Sequence, residues 1–85
     1  MSRRFDVEID GKVYEAEVRY GGVSGRGEVL VDGEVVDVWG SSWSGSLPKE
    51  RVFEVAGKKA ILRRVGILNQ NLELFVPGAR VRRVK

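Results

Sequence analysis

The chain has no cysteine and no histidine. The first absence excludes a disulfide staple, a thiolate nucleophile and a Cys-based zinc site. The second removes the commonest general acid–base group and the commonest metal ligand. Hydroxyls remain, but Ser24, Ser41, Ser42, Ser44 and Ser46 have neither a histidine nor a plausible lysine to activate them. The glycine-rich GGVSGRG lacks the Gly-Lys-Ser/Thr ending of a phosphate loop and precedes a strand pattern, not a helix. No apolar run approaches the roughly 18–20 residues of a membrane helix. The opening MSRRFDVEID has no apolar stretch of the signal-peptide kind. These absences predict a non-enzymatic, cytoplasmic protein with no membrane contact and no catalytic residue, metal or cofactor.

What the chain does have is alternation. Its 85 residues, 42% apolar, suffice for one domain spanning 1–85. Phe5, Val7 and Ile9 alternate with Arg4, Asp6, Glu8 and Asp10; after Asp10-Gly11 the same period continues through Tyr14, Ala16, Val18 and Tyr20. Strand, Asp-Gly turn, strand is a strong hairpin signal. It recurs at Asp32-Gly33, and further turns are expected at Ala56-Gly57 and Pro77-Gly78, giving four hairpins. No helical spacing persists over three turns. The pattern predicts an all-β fold, a small antiparallel β-sandwich of about seven or eight strands built from hairpins. The segment 40–49, GSSWSGSLPK, is read as the crossover between two sheets. The expected core is Phe5, Val7, Ile9, Tyr14, Ala16, Val18, Val29, Val31, Val36, Val38, Trp39, Phe53, Val55, Leu62, Leu74 and Val76, and Phe75 is also read as core.

Charge is divided by position. Residues 1–50 hold six Lys/Arg against ten Asp/Glu, a net −4; residues 51–85 hold nine against two, a net +7. Alternation places Asp6, Glu8, Asp10, Glu15 and Glu17 on one face, which reads as a solvated surface that discourages aggregation. The basic half offers Arg63, Arg64, Arg80, Arg82 and Arg83 to an acidic partner. One candidate partner is single-stranded nucleic acid, although rings for base stacking are scarce there. The other is an acidic protein face, of the same chain or of a second copy. Trp39 ends a strand, while Trp43 sits among glycine and serine where little supports a large ring. The pair is the candidate contact for a protein partner or for a homodimer, since tryptophan buries much area at small entropic cost.

The opening FDVEIDGKVYEAEV resembles the first hairpin of biotinyl and lipoyl carrier domains, but no Met-Lys stands at a hairpin tip to receive a cofactor. A broader likeness runs through Val31-Asp32-Gly33, Trp39, Phe53-Glu54-Val55, Lys59-Ala60 and Leu72-Glu73-Leu74 to Gly78. Over about two-thirds of the chain this pattern resembles the β-domain of the Fas apoptotic inhibitory molecule family. The resemblance implies a single non-enzymatic, intracellular β-sandwich interaction module, and supplies no catalytic residue.

Overall fold

The computed structural model describes residues 2–20, 27–39, 50–65 and 71–84. They form eight strands: β1 (Ser2–Ile9), β2 (Lys12–Tyr20), β3 (Gly27–Val31), β4 (Glu34–Trp39), β5 (Glu50–Val55), β6 (Lys58–Val65), β7 (Asn71–Phe75) and β8 (Arg80–Arg83). Two antiparallel sheets result, one ordered β4-β3-β2-β1-β8 and the other β5-β6-β7. The architecture is a small β-sandwich, and no helix occurs among the described residues. The segment 40–49 connects a strand of one sheet to a strand of the other. Trp43 and residues 21–26 of the glycine-rich GGVSGRG lie outside the described residues, while the last glycine of that run, Gly27, opens β3.

Three of the four expected hairpins form, and the turns explain why. Asp10-Gly11, Asp32-Gly33 and Ala56-Gly57 each place both central residues at positive φ, 51° followed by 80–84°. That is the type I′ geometry, whose twist matches the twist of paired strands. The Asp32 turn is tied further into the large sheet. Its backbone N–H donates to the Glu15 carbonyl at 2.8 Å, and its carboxylate accepts from the Glu15 N–H at 2.8 Å.

The fourth hairpin does not form. The Ala79 N–H donates to the Val76 carbonyl at 3.0 Å, and Gly78 has φ 78°. With Pro77 at the first central position this is a type II turn, which splays strands apart. So β7 stays beside β6, while β8 crosses to the other sheet and pairs with β1. Pro77-Gly78 is a corner between the layers.

The core lies between the sheets and follows period two. Phe5, Val7, Ile9, Ala16, Val18 and Val29 line the large sheet's inner face; Phe53, Val55, Ala60, Leu62, Leu72, Leu74 and Val76 face them. Tyr14, Val31 and Trp39 are partly buried against this cluster. Ala60 and Leu72 join the core beyond the expected residues. Ala60 stands opposite Phe53, where a small side chain leaves space for the ring. Leu30 is buried as well, but outside the central cluster.

Val36 and Val38 are corrections: both are exposed, Val38 by 61%. A bulge shifts the β3–β4 register at Val29/Leu30, so that Val29 faces Asp37 and Leu30 faces Val35. Val36 becomes the extra residue, Val38 turns outward opposite Glu28, and Asp37 and Trp39 take the inner positions. Phe75 is a third correction, since it is 62% exposed. It alternates out of phase with Leu72, Leu74 and Val76, which are all buried.

Candidate interaction surface

The five arginines expected to act together are dispersed. Arg63 stands on the outer face of the small sheet, opposite Glu50 and Glu73. Arg80 and Arg82 lie on the outer face of the large sheet, opposite Glu8 and Asp6. Arg64 and Arg83 alternate to the inner sides of their strands, opposite Leu72 and Phe5 respectively.

Much of the basic charge meets acid within the chain. Arg82 bonds Asp6 at 3.2 Å, and Arg63 bonds Glu50 at 3.2 Å. Asp6 and Glu15 are cross-strand partners, as are Arg4 and Glu17, so the acidic face of β1 and β2 is interleaved with arginine. Arg19 reaches Glu17 at 3.3 Å and Glu28 at 3.9 Å on the same face. The charge division along the sequence therefore closes on itself once β8 docks on β1. Such exposed pairs contribute little to stability, but they weaken the local positive field that a polyanion would sense. Among the described residues no group of three or more acidic residues is placed to hold a metal ion.

Trp39 is engaged internally. It is the cross-strand partner of Gly27, and the indole occupies the space that a side chain on that glycine would need. The Arg51 guanidinium sits 5.9 Å from the ring centroid, a cation–π distance. Arg51 belongs to β5 of the opposite sheet and makes a forked bond to Asp37, Nε to Oδ2 at 3.0 Å and NH2 to Oδ1 at 2.8 Å. It also donates to the Val38 carbonyl at 3.3 Å. The hydrogen bond to Asp37 raises the Arg51 pKa above its ordinary value; partial burial opposes this and the carboxylate charge adds to it. Asp37, Trp39, Arg51 and Gly27 thus pin the two sheets together. Alternation within β4 cannot reveal this cluster, because the bulge decides that Asp37 points inward.

Besides the exposed valines of β4, two surfaces stand out among the described residues. On the outer face of the small sheet, Val52, Ile61 and Phe75 are aligned across β5, β6 and β7 as direct cross-strand neighbours. Val52 is 50% exposed. A Glu54–Lys59 row borders this apolar row on one side, and a Glu50–Arg63–Glu73 row borders it on the other. Parity along each strand is the signal in the sequence: all three residues alternate out of phase with buried neighbours. The second surface is an open groove of ≈ 330 Å³ along the side where β7 and β8 are edge strands, lined by Phe5, Val65, Leu72, Leu74, Val81 and Arg83, together with Asn71 and Glu73.

Comparison of the chain with family models, curated proteins and solved structures finds no match.

Proposed function

We propose that this chain is a non-catalytic protein-interaction module that docks through the outer face of its three-stranded sheet. The observation that carries this reading is the Val52–Ile61–Phe75 row, an apolar stripe on a solvent face with charged rows on both sides. An apolar strip bordered by charged residues is the usual anatomy of a protein contact, and here Ile61 is its middle with Val52 and Phe75 on either side. An isolated exposed apolar side chain needs no explanation, but exposed Val52 and Phe75 flanking half-buried Ile61 in register across a sheet do.

The same geometry argues against single-stranded nucleic acid. A phosphate track needs its cations on one surface. Here Arg63, Arg80, Arg82 and Arg83 are divided among different faces and interleaved with Asp6, Glu8, Glu50 and Glu73. The resemblance to the Fas apoptotic inhibitory molecule family implies the same class of non-enzymatic module in the cytoplasm. It adds no contact residues to those named here.

Photo-crosslinking tests the reading. A benzoyl-phenylalanine placed at position 75 should give a discrete protein adduct in cells, whereas the same group at position 8, on the other outer face, should not. A nucleic-acid adduct from position 75, or equal labelling from both positions, would overturn the assignment.

A further inference from the structure

We infer that the partner on this face is a second copy of the chain, packed about a two-fold axis that runs parallel to the strands between β5 and β6. The inference rests on the interaction reading above and adds the identity and register of the partner.

A two-fold contact must be self-complementary, so that residue i meets j and j meets i. Cross-strand pairing aligns Val52 with Ile61, Glu54 with Lys59 and Glu50 with Arg63. An axis between these strands exchanges β5 with β6 row by row. It sets Val52 over Ile61 of the second copy, Glu54 over its Lys59 and Glu50 over its Arg63, and the reciprocal contacts follow. Phe75, one strand further out on the Ile61 row, then overhangs the β5 edge of the second copy beside Val52.

Two of the other in-plane axes fail on charge, and one between β6 and β7 would pair only Arg63 with Glu73 and leave Glu50 and Glu54 overhanging the second copy's edge. An axis along β6 would superpose Lys59 on Lys59 and Arg63 on Arg63. An axis across the strands would superpose Glu54 on Glu50 and Lys59 on Arg63. Facing sheets pack about 10 Å apart at roughly 30°, which keeps rows near the axis in register.

The contrast with the large sheet supports this choice of surface. Its apolar edge strand β4 carries a bulge, and the Val38 carbonyl is occupied by Arg51. Both devices discourage strand addition. Those devices guard an edge, whereas the small sheet presents Val52 and Phe75 to solvent on its face. With three strands of five to eight residues, the contact is small, below the standard interface of about 1,600 Å². A reversible dimer is therefore expected, loosened by salt because its charge pairs are rim-exposed.

Sedimentation of purified protein across the micromolar-to-millimolar range tests the proposal. The wild type should pass from monomer to dimer, and the transition should move to higher concentration in high salt. Lys59→Glu alone brings two carboxylates together wherever strand β5 of one copy meets β6 of the other. Glu54→Lys alone brings two ammonium groups together at the same contact, so each variant should be monomeric. Their equimolar mixture restores every cross-copy pair with opposite charge, and should associate roughly tenfold or more tighter than either variant alone. Both substitutions are at exposed positions, and circular dichroism checks that each variant is folded. A wild type that stays monomeric throughout, or a mixture no tighter than its components, overturns the proposal. If position 75 nevertheless crosslinks to a different protein, self-association fails while the interaction reading stands.

Discussion

Gly27 and Trp39 share one cross-strand position, and a Cβ on Gly27 would lie 2.3 Å from the indole Cζ2 and 2.4 Å from Cε2. No real side chain tolerates such an approach, so the glycine is required by the ring above it. An aromatic placed over a strand glycine covers backbone that would otherwise be wet. Gly27→Ala must therefore displace the indole from both Gly27 and Arg51. The expected cost is about 1–3 kcal/mol, the range for overpacking a well-filled site. In a Trp43→Phe background the emission of Trp39 should shift to the red as its ring gains solvent. A variant with unchanged emission and stability would mean that the indole does not rest on this strand.

At the level of elements, the turns select the topology. Asp10 and Asp32 are suited to positive φ, because a short polar side chain accepts the left-handed region. Ala56 holds the same φ of 51° without that compensation. Ala56→Asn should therefore stabilise the β5–β6 hairpin by about 0.5–1 kcal/mol, seen as a higher urea midpoint with unchanged slope. A lower midpoint would show that Ala56 is not in the left-handed region. The Asp-Gly and Ala-Gly turns are local, which is why these hairpins are legible in the sequence. The destination of β8 is not. Pro77-Gly78 announces a turn, but whether the next strand folds back on β7 or crosses depends on a distant edge. That edge is β1, where Glu8 and Asp6 stand opposite Arg80 and Arg82. The β4 bulge is equally hidden. It changes which residues of EVVDVW face inward by displacing one residue, and no local propensity marks the site. For the candidate surface, charge alone points to Arg63, whereas Val52, Ile61 and Phe75 are visible only through the parity of their strands.

For the molecule as a whole, the attachment of the small sheet to the large one is uneven. On the β7–β8 side the layers are joined by the Pro77-Gly78 corner, with Phe5, Leu72, Leu74 and Val81 lining the groove between them. On the β4–β5 side a polar clamp bridges the sheets, Arg51 to Asp37, with side-chain exposures of 35% and 17%. A clamp of this kind is worth less than its Coulomb attraction, because solvent screens the arginine and both groups lose hydration. Its forked geometry nonetheless fixes orientation in a way that a single contact cannot. A double-mutant cycle separates these contributions. Arg51→Met keeps most of the stem beside Trp39 but leaves the Asp37 carboxylate unpaired and mostly buried. It should cost about 1–2 kcal/mol. Asp37→Leu removes that carboxylate and leaves an arginine that can still reach water, so the loss should be smaller. The double variant should recover part of the Arg51→Met loss, with a coupling of about 1 kcal/mol that shrinks only modestly in salt. Zero coupling would leave apolar packing alone to align the sheets. A coupling of the expected size would mean that the register of the interaction face relative to the large sheet is set by one inward-facing aspartate, which the β4 bulge makes possible.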